Sequence, residues 1–190
     1  VSVLQGTTGS GKTLVYFERI KKIIEKNNQA LVLLPEIFLT NDFKSRFENF
    51  FGFKPAIWHS KITPKQKRLI WKGIIKNEIK ILVGARSALF LPFKKLGIII
   101  VDEEHDTSYK QDEGVIYNAR DMAISRAKFE GIPIHLITSV PSIETYNNII
   151  NKKYRHIKIY KRFDNYPLPK TKIINLNLDK VKNKYIANQT

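Results

Sequence analysis

The glycine-rich segment GTTGSGKT, from Gly6 to Thr13, has the residue types and the spacing of a phosphate-binding loop. Glycines allow backbone conformations that turn successive N–H groups toward one anion. The loop follows an apolar strand pattern at Val1, Val3 and Leu4 and precedes a helical pattern. The residues expected to contact the ligand are Gly6, Thr7, Thr8, Gly9, Ser10, Gly11, Lys12 and Thr13.

The last two residues of this motif have separate expected roles. Lys12 would place an ammonium group against the β and γ phosphates, and the Thr13 hydroxyl would be a ligand for Mg²⁺. The expected ligand is therefore a nucleoside triphosphate with its magnesium ion. The alternative is a glycine-rich turn that binds nothing.

Two carboxylates follow a second apolar run, in the segment LGIIIVDEEH. Ile98 to Val101 is typical of a central parallel strand, and its carboxyl end lies where open α/β sheets bind ligands. We predict that Asp102 holds Mg²⁺ and that Glu103 polarises the attacking water, the role of a general base. Lys12, Asp102 and Glu103 are thus the predicted catalytic residues. The alternative is that the acidic cluster is merely solvated.

Strands and helices alternate along the chain, which predicts a parallel sheet with helices on both faces. Strands are predicted at Ala30 to Leu34, Ala56 to Trp58, Ile79 to Val83, Ile98 to Val101 and Ile132 to Ile137. Helices are predicted at Lys12 to Lys26, Ile37 to Phe50, Pro64 to Lys76, Ala119 to Phe129 and Ser142 to Ile150.

The pattern changes after Lys152, to a basic strand from Tyr154 to Arg162 and then a link that contains Pro167 and Pro169. We therefore predict an ATP-binding domain over residues 1–152. Residues 153–190 are predicted to be a strand and a linker toward a second module.

Composition limits the remaining possibilities. A chain of 190 residues fits one α/β domain, and the absence of cysteine excludes disulfides and thiolate zinc sites. No apolar run reaches the length of a membrane span and no signal peptide opens the chain, so we expect a cytoplasmic protein without a membrane partner. The net charge of +16 favours a nucleic-acid partner, although biased nucleotide composition of the gene could also produce it.

Several longer motifs resemble one helicase family. GTTGSGKT is similar to helicase motif I, LLPEIFLT (Leu33 to Thr40) to motif Ia, and the run from Gly84 to Gln111 contains RSALF, the DEEH box and SYKQ. YNARDMAISRA (Tyr117 to Ala127) is similar to the YHARD stretch of the same family. Together these motifs resemble the first RecA-like motor domain of superfamily 2 helicases, and among these the primosomal protein N′ family of replication-restart helicases.

The resemblance implies a P-loop NTPase with a RecA-like three-layer fold and a mostly parallel central sheet. It implies ATP-driven 3′ to 5′ translocation on single-stranded or forked DNA, with a second motor domain or other primosome proteins as partners. The residues that it places at DNA contacts or coupling are Arg86, Ser87, His105, Tyr109, Lys110, Tyr117 and Arg120. Arg120 and Asp121 could instead form a structural ion pair, and His59 is expected to pack or to form hydrogen bonds.

Two departures from the family pattern set limits on the expected activity. TSVPS, from Thr138 to Ser142, has Val140 where the family motif SATPS has threonine, which puts coupling in doubt. No second motor domain follows, so this chain alone is expected to bind nucleotide weakly and to have negligible unwinding activity. The alternatives are a truncated or split-gene remnant that binds nucleotide or DNA without turnover, and a different P-loop enzyme such as a kinase.

Overall fold

A computed structural model describes residues 1–162, 181–183 and 186–187. The strands are β1 Ser2–Gly6, β2 Gln29–Leu33, β3 Ala56–Trp58, β4 Ile81–Gly84, β5 Leu96–Asp102, β6 Lys110–Gln111, β7 Tyr117–Asn118, β8 Ile134–Thr138, β9 Arg155–Ile159, β10 Val181–Asn183 and β11 Ile186–Ala187. The α-helices are α1 Lys12–Ile24, α2 Asn41–Phe51, α3 Pro64–Ile75, α4 Ala119–Glu130 and α5 Ile143–Ile150. Short 3₁₀ helices span Glu36–Phe38, Arg86–Phe90 and Thr107–Tyr109.

The main sheet has seven strands in the order β3-β4-β2-β5-β8-β1-β9. Every pairing within it is parallel. The predicted α/β, RecA-like fold is therefore confirmed. Strands β5, β8 and β1 are neighbours, so the segments that follow them meet at one edge of the sheet.

Two apolar layers cover the sheet, because alternate strand residues face opposite sides. On one face, Phe17 of α1 contacts Phe47 of α2 with a ring-centroid distance of 5.6 Å, within a larger phenylalanine cluster. On the other face, Ile74 of α3 and Ala123 of α4 belong to the second core cluster. Burying a large side chain contributes about 1.5–3 kcal/mol, so these layers fix the helices that position the site.

Helix boundaries follow local capping chemistry. The predicted start of the second helix at Ile37 is wrong, because a 3₁₀ helix occupies Glu36–Phe38 and α2 begins at Asn41. Thr40 caps α2, since its Oγ1 accepts a hydrogen bond from the Phe43 N–H at 3.2 Å. The predicted start at Pro64 is confirmed.

The last strand of the main sheet is β9, which pairs with β1 at the edge. It is shorter than the predicted segment Tyr154 to Arg162, and Pro167 and Pro169 lie outside the described residues. The role of residues 153–190 as a route to a second module stays a prediction. Within the described part of the chain, no helix is long and apolar enough to cross a membrane.

Candidate functional site

The glycine-rich loop joins the carboxyl end of β1 to the first turn of α1. Gly9 and Gly11 have φ angles of 79° and 83°, in the left-handed region that disfavours a side chain. Gly11 is the N-cap of α1, so the partly positive end of this helix opens onto the loop. This arrangement suits a bound phosphate.

The Lys12 ammonium bends back over the loop and is nearly buried. Its Nζ donates to the carbonyl oxygens of Gly6, at 2.6 Å, and Thr7, at 3.2 Å. Ser10 Oγ is buried and has no hydrogen-bond partner among the described residues. A Cβ atom on Gly6 would lie 2.5 Å from this oxygen, so a larger residue there would force the Ser10 side chain to move.

Asp102 ends β5 beside this loop, and the carboxylate is buried. The Tyr16 hydroxyl donates to Oδ2 at 3.0 Å, and the Glu103 N–H donates to Oδ1 at 3.0 Å. Burial, with a smaller contribution from the Glu103 charge, raises the pKa of Asp102 to about 6. Burial also raises the pKa of Tyr16 well above its usual value. The Tyr16 phenol therefore stays a neutral donor.

One cavity of about 410 Å³ brings the loop and the two carboxylates together. Its lining residues are Thr8, Gly9, Ser10, Gly11, Lys12, Thr13, Leu14, Phe38, Arg46, Asp102 and Glu103. The hydroxyl of Thr13 and the carboxylate of Asp102 are oxygen ligands of the kind that Mg²⁺ takes together with substrate phosphates. No cluster of three or more His, Cys, Asp or Glu residues in the described ranges could hold a metal ion by itself.

Glu103 has a left-handed backbone, with φ 49°, directly after β5. Its side chain is a quarter exposed, and Oε2 lies 3.7 Å from His105 Nδ1. A partly exposed carboxylate at the rim of the cavity can reach a water molecule, which a general base requires.

Glu104 is buried and accepts hydrogen bonds from four donors. Its oxygens receive Arg120 Nη1 at 3.3 Å, the Ser142 N–H at 2.8 Å, the Ser142 hydroxyl at 3.0 Å and the Thr145 hydroxyl at 2.9 Å. Arg120 Nε also donates to Asp121 at 2.8 Å. The DEEH box is thereby joined to α4 and to the TSVPS segment through buried polar contacts. Arg120 thus pairs with Asp121, the alternative that the sequence left open, and also with the buried Glu104, which the sequence did not predict.

His105 contacts the TSVPS segment through a second bond, 2.8 Å between Nδ1 and Thr138 Oγ1. The Thr138 hydroxyl donates its proton to the Val140 carbonyl oxygen at 2.8 Å. In the contact with His105, Thr138 Oγ1 is therefore the acceptor and His105 Nδ1 carries the donated proton. Val140 itself is 67% exposed and contributes its carbonyl oxygen. The hydroxyl that links these segments therefore comes from Thr138.

The residues predicted at DNA contacts do not share one environment. Tyr109 is only 1% exposed, and its hydroxyl lies 2.9 Å from the Leu33 carbonyl oxygen and 2.6 Å from that of Asp102, which share its one proton. A buried ring offers no face to a base, so a contribution of Tyr109 to coupling must pass through these bonds between β2 and β5.

Arg86 and Lys110 lie on the surface and are joined by a 2.6 Å bond from Arg86 Nη1 to the Lys110 carbonyl oxygen. The Lys110 ammonium pairs with Asp112 at 3.0 Å. The ring of Tyr117 packs edge-on against Phe90, with centroids 5.3 Å apart.

Ser87, predicted at a DNA contact, and His59, expected to pack or to form hydrogen bonds, both form local hydrogen bonds. Ser87 Oγ accepts from Trp58 Nε1 at 3.1 Å, and His59 Nδ1 accepts from the Lys61 N–H at 3.2 Å. A groove of about 410 Å³ beside them contains Arg86 and the exposed motif Ia residues Glu36 and Ile37.

A family model described as DEAD/DEAH box helicase matches residues 2–149. The chain belongs to the DEAD/DEAH box helicase family. The match covers β1 through nearly all of α5, and so includes both the glycine-rich loop and the DEEH box.

Two relatives of this DEAD/DEAH box helicase chain, from different bacteria, are both described as replication restart proteins. It is 46% identical over 187 residues to the Replication restart protein PriA of Rickettsia felis, covering 98% of this chain and 29% of the relative. It is 39% identical over 176 residues to the Replication restart protein PriA of Bacillus subtilis, covering 93% of this chain and 22% of the relative. The chain thus spans less than a third of the length of these curated relatives.

Solved structures support the fold. The Pyrococcus furiosus Hef helicase domain matches with TM-score 0.59 at 16% identity, over 83% of this chain and 35% of that one. RecG bound to a three-way DNA junction matches with TM-score 0.56 at 21% identity, over 84% of this chain and 20% of that one. At these identities the likeness concerns the fold alone.

Three residues of this DEAD/DEAH box helicase chain have site contacts that sequence reasoning missed: Tyr16, Arg46 and Glu104. Tyr16 lies four residues after Lys12 in an amphipathic helix, a position typical of the core. Glu104 lies within the DEEH box and Arg46 lies outside the motifs, and the spacing of neither residue indicated a site contact. For all three, the signal lies in contacts between distant parts of the chain.

Proposed function

We propose that the chain is the first motor domain of an ATP-dependent 3′ to 5′ DNA helicase that acts in replication restart. The observation that carries this proposal is a cavity that the glycine-rich loop, Asp102 and Glu103 line together. It occurs in a chain that is 46% identical to a replication restart protein over nearly its whole length.

Each residue of this cavity has a distinct role in the proposed reaction. The loop N–H groups and the Lys12 ammonium hold the β and γ phosphates, while Thr13 and Asp102 hold Mg²⁺. When bound there, Mg²⁺ would supply positive charge that offsets the charge of the terminal phosphate. Glu103 accepts a proton from the attacking water at a carboxylate oxygen.

DNA is the proposed second substrate, single-stranded or forked. The net charge of +16 attracts a polyanion, and Arg86 and Lys110 lie at the surface where they could follow a phosphate backbone. A second motor domain would supply an arginine for the transition state, which is worth about 10³ to 10⁵ in rate where it has been measured. We also keep the cytoplasmic location predicted from the sequence, since such a helicase must reach chromosomal DNA.

The test is ATP hydrolysis with and without single-stranded DNA, for the chain and for two variants. Lys12→Ala should weaken ATP binding by about 100-fold, because the ammonium makes more than one charge-assisted hydrogen bond to the phosphates. Glu103→Gln should keep ATP binding and lose hydrolysis. Unchanged ATP affinity in Lys12→Ala would contradict the assignment of the site.

The second candidate function is a chain that binds nucleotide and DNA without turnover. It would show salt-sensitive DNA binding, as expected when lysine and arginine displace counterions, but no hydrolysis in the unmodified chain. DNA-stimulated hydrolysis that Glu103→Gln abolishes would exclude this candidate.

A further inference from the structure

Arg46 brings a second cationic side chain to the nucleotide cavity. It lies on α2 and shares the cavity lining with Lys12, Thr13 and Asp102. Neither the loop motif nor the DEEH box includes this residue. Its position therefore needs an explanation of its own.

The contact that Arg46 makes on its own helix is weak. Its guanidinium pairs with Asp42, one turn earlier, and hydrogen bonding from Arg46 lowers the pKa of the Asp42 carboxyl. The side chains are 60% and 67% exposed. Exposed ion pairs between residues four apart contribute little to stability. A more highly charged ligand could therefore take the guanidinium from Asp42.

The position of Arg46 indicates which part of a nucleotide it would meet. A smaller cavity of about 170 Å³ contains Arg46 together with Thr13, Asp102 and Glu103. These are the residues expected at the magnesium ion and the terminal phosphate rather than at the base. The carboxylates of Asp42, Asp102 and Glu103 all line this cavity and repel a polyphosphate, and one guanidinium would offset part of that repulsion.

We propose that Arg46 binds an oxygen of the terminal phosphate of ATP and gives up Asp42 to do so. The inference rests on the proposed function, because it requires that this cavity takes a nucleoside triphosphate. An arginine fork matches phosphate geometry better than an ammonium does.

The test is the affinity of the 190-residue chain for a non-hydrolysable ATP analogue and for ADP, each with Mg²⁺, by titration calorimetry. Arg46→Ala should weaken binding of the analogue by about tenfold, the effect of one charge-assisted hydrogen bond. ADP affinity should stay unchanged, because ADP lacks the phosphate concerned. Arg46→Lys should recover part of the loss. Arg68→Ala, on α3 outside the cavity, is the matched control and should change neither affinity.

The outcomes separate this inference from the proposed function. If Lys12→Ala loses both ligands while Arg46→Ala loses neither, the site stands and the role of Arg46 is overturned. Equal losses of the analogue and of ADP in Arg46→Ala would overturn the assignment to the terminal phosphate. Asp42→Asn should tighten binding of the analogue, since it removes the competing carboxylate. Thermal unfolding of each variant checks that the fold is kept.

Discussion

Two buried carboxylates of the same box, Asp102 and Glu104, have opposite surroundings. Asp102 has the Tyr16 hydroxyl, one backbone N–H and the end of the nucleotide cavity around it. Glu104 has four donors, including the Arg120 guanidinium, all from within the chain. Asp102 retains capacity for a cation, whereas the hydrogen-bonding capacity of Glu104 is used internally.

The difference shows how adjacent residues can serve binding and architecture separately. A buried charge that is fully hydrogen-bonded helps to fix one arrangement of the surrounding elements. A buried charge with fewer partners destabilises the fold until a ligand joins it. In this chain Asp102, the carboxylate with room for a cation, is the destabilising one. The hydrogen bonds of Glu104 hold the DEEH box in place.

The largest expected effect comes from breaking the Glu104 network. Arg120→Ala leaves a buried carboxylate without its cation and should lower the free energy of unfolding by about 3–5 kcal/mol. The measurement is urea unfolding at pH 7. Asp121→Ala, which removes an exposed partner of Arg120, is the control and should change the free energy by less than about 1 kcal/mol. Equal losses in the two variants would contradict the distinction between buried and exposed partners.

A smaller effect comes from removing the Asp102 charge. The folded protein binds the Asp102 proton more tightly than the unfolded chain does, since burial raises the pKa from 3.8 to about 6. Stability from this group is therefore present at low pH and is lost as pH rises between these two values. Without Mg²⁺, Asp102→Asn should be more stable than the unmodified chain at pH 7.5, by an amount on the order of 2–3 kcal/mol.

The pH dependence of that difference is the check. Urea unfolding of both proteins from pH 4 to pH 8 should show a difference that grows with pH and levels off above the folded pKa of about 6. A difference that does not depend on pH would mean that Asp102 is not the group responsible.

The smallest of the three effects concerns the donor to Asp102. Tyr16→Phe removes the hydroxyl and should lower the free energy of unfolding by about 1.5 kcal/mol above pH 6, where the carboxylate is charged. The loss should shrink at pH 4, because a protonated Asp102 depends less on this donor. A loss that is equal at both pH values would indicate a packing role for Tyr16 instead. Urea unfolding of Tyr16→Phe and of the unmodified chain, at pH 4 and above pH 6, measures the two losses.

Much of the fold was readable from the sequence. Gly9 and Gly11 are needed for their backbone angles, and the apolar run before Asp102 forms the central strand as predicted. The start of α2 was missed because the hydrophobic pattern continues through Ile37 and Phe38, while a 3₁₀ turn and the Thr40 cap set the actual boundary. Local capping outweighed periodicity there.

The site was less readable than the fold. The hydrogen bond from Tyr16 to Asp102 joins residues far apart in sequence. The hydrophobic periodicity of α1 predicts only that Tyr16 lies in the core. Burial separates Tyr109 from the surface residues of its loop, although the family resemblance placed them together at DNA contacts or coupling. Sequence patterns identify motifs well and identify the packing between motifs poorly.

The position of β1 in the sheet bears on how the protein is made. Ser2 pairs with His135 on β8 and with Arg155 on β9, so among the described residues the strand that carries the nucleotide loop pairs with segments much later in the sequence. Long-range pairing of this kind slows folding, because a large loop must close before any contact forms. During folding, β1 must therefore wait for β8 and β9 before it can join the sheet. Nucleotide affinity should therefore arise late, as a single step that reports completion of the sheet.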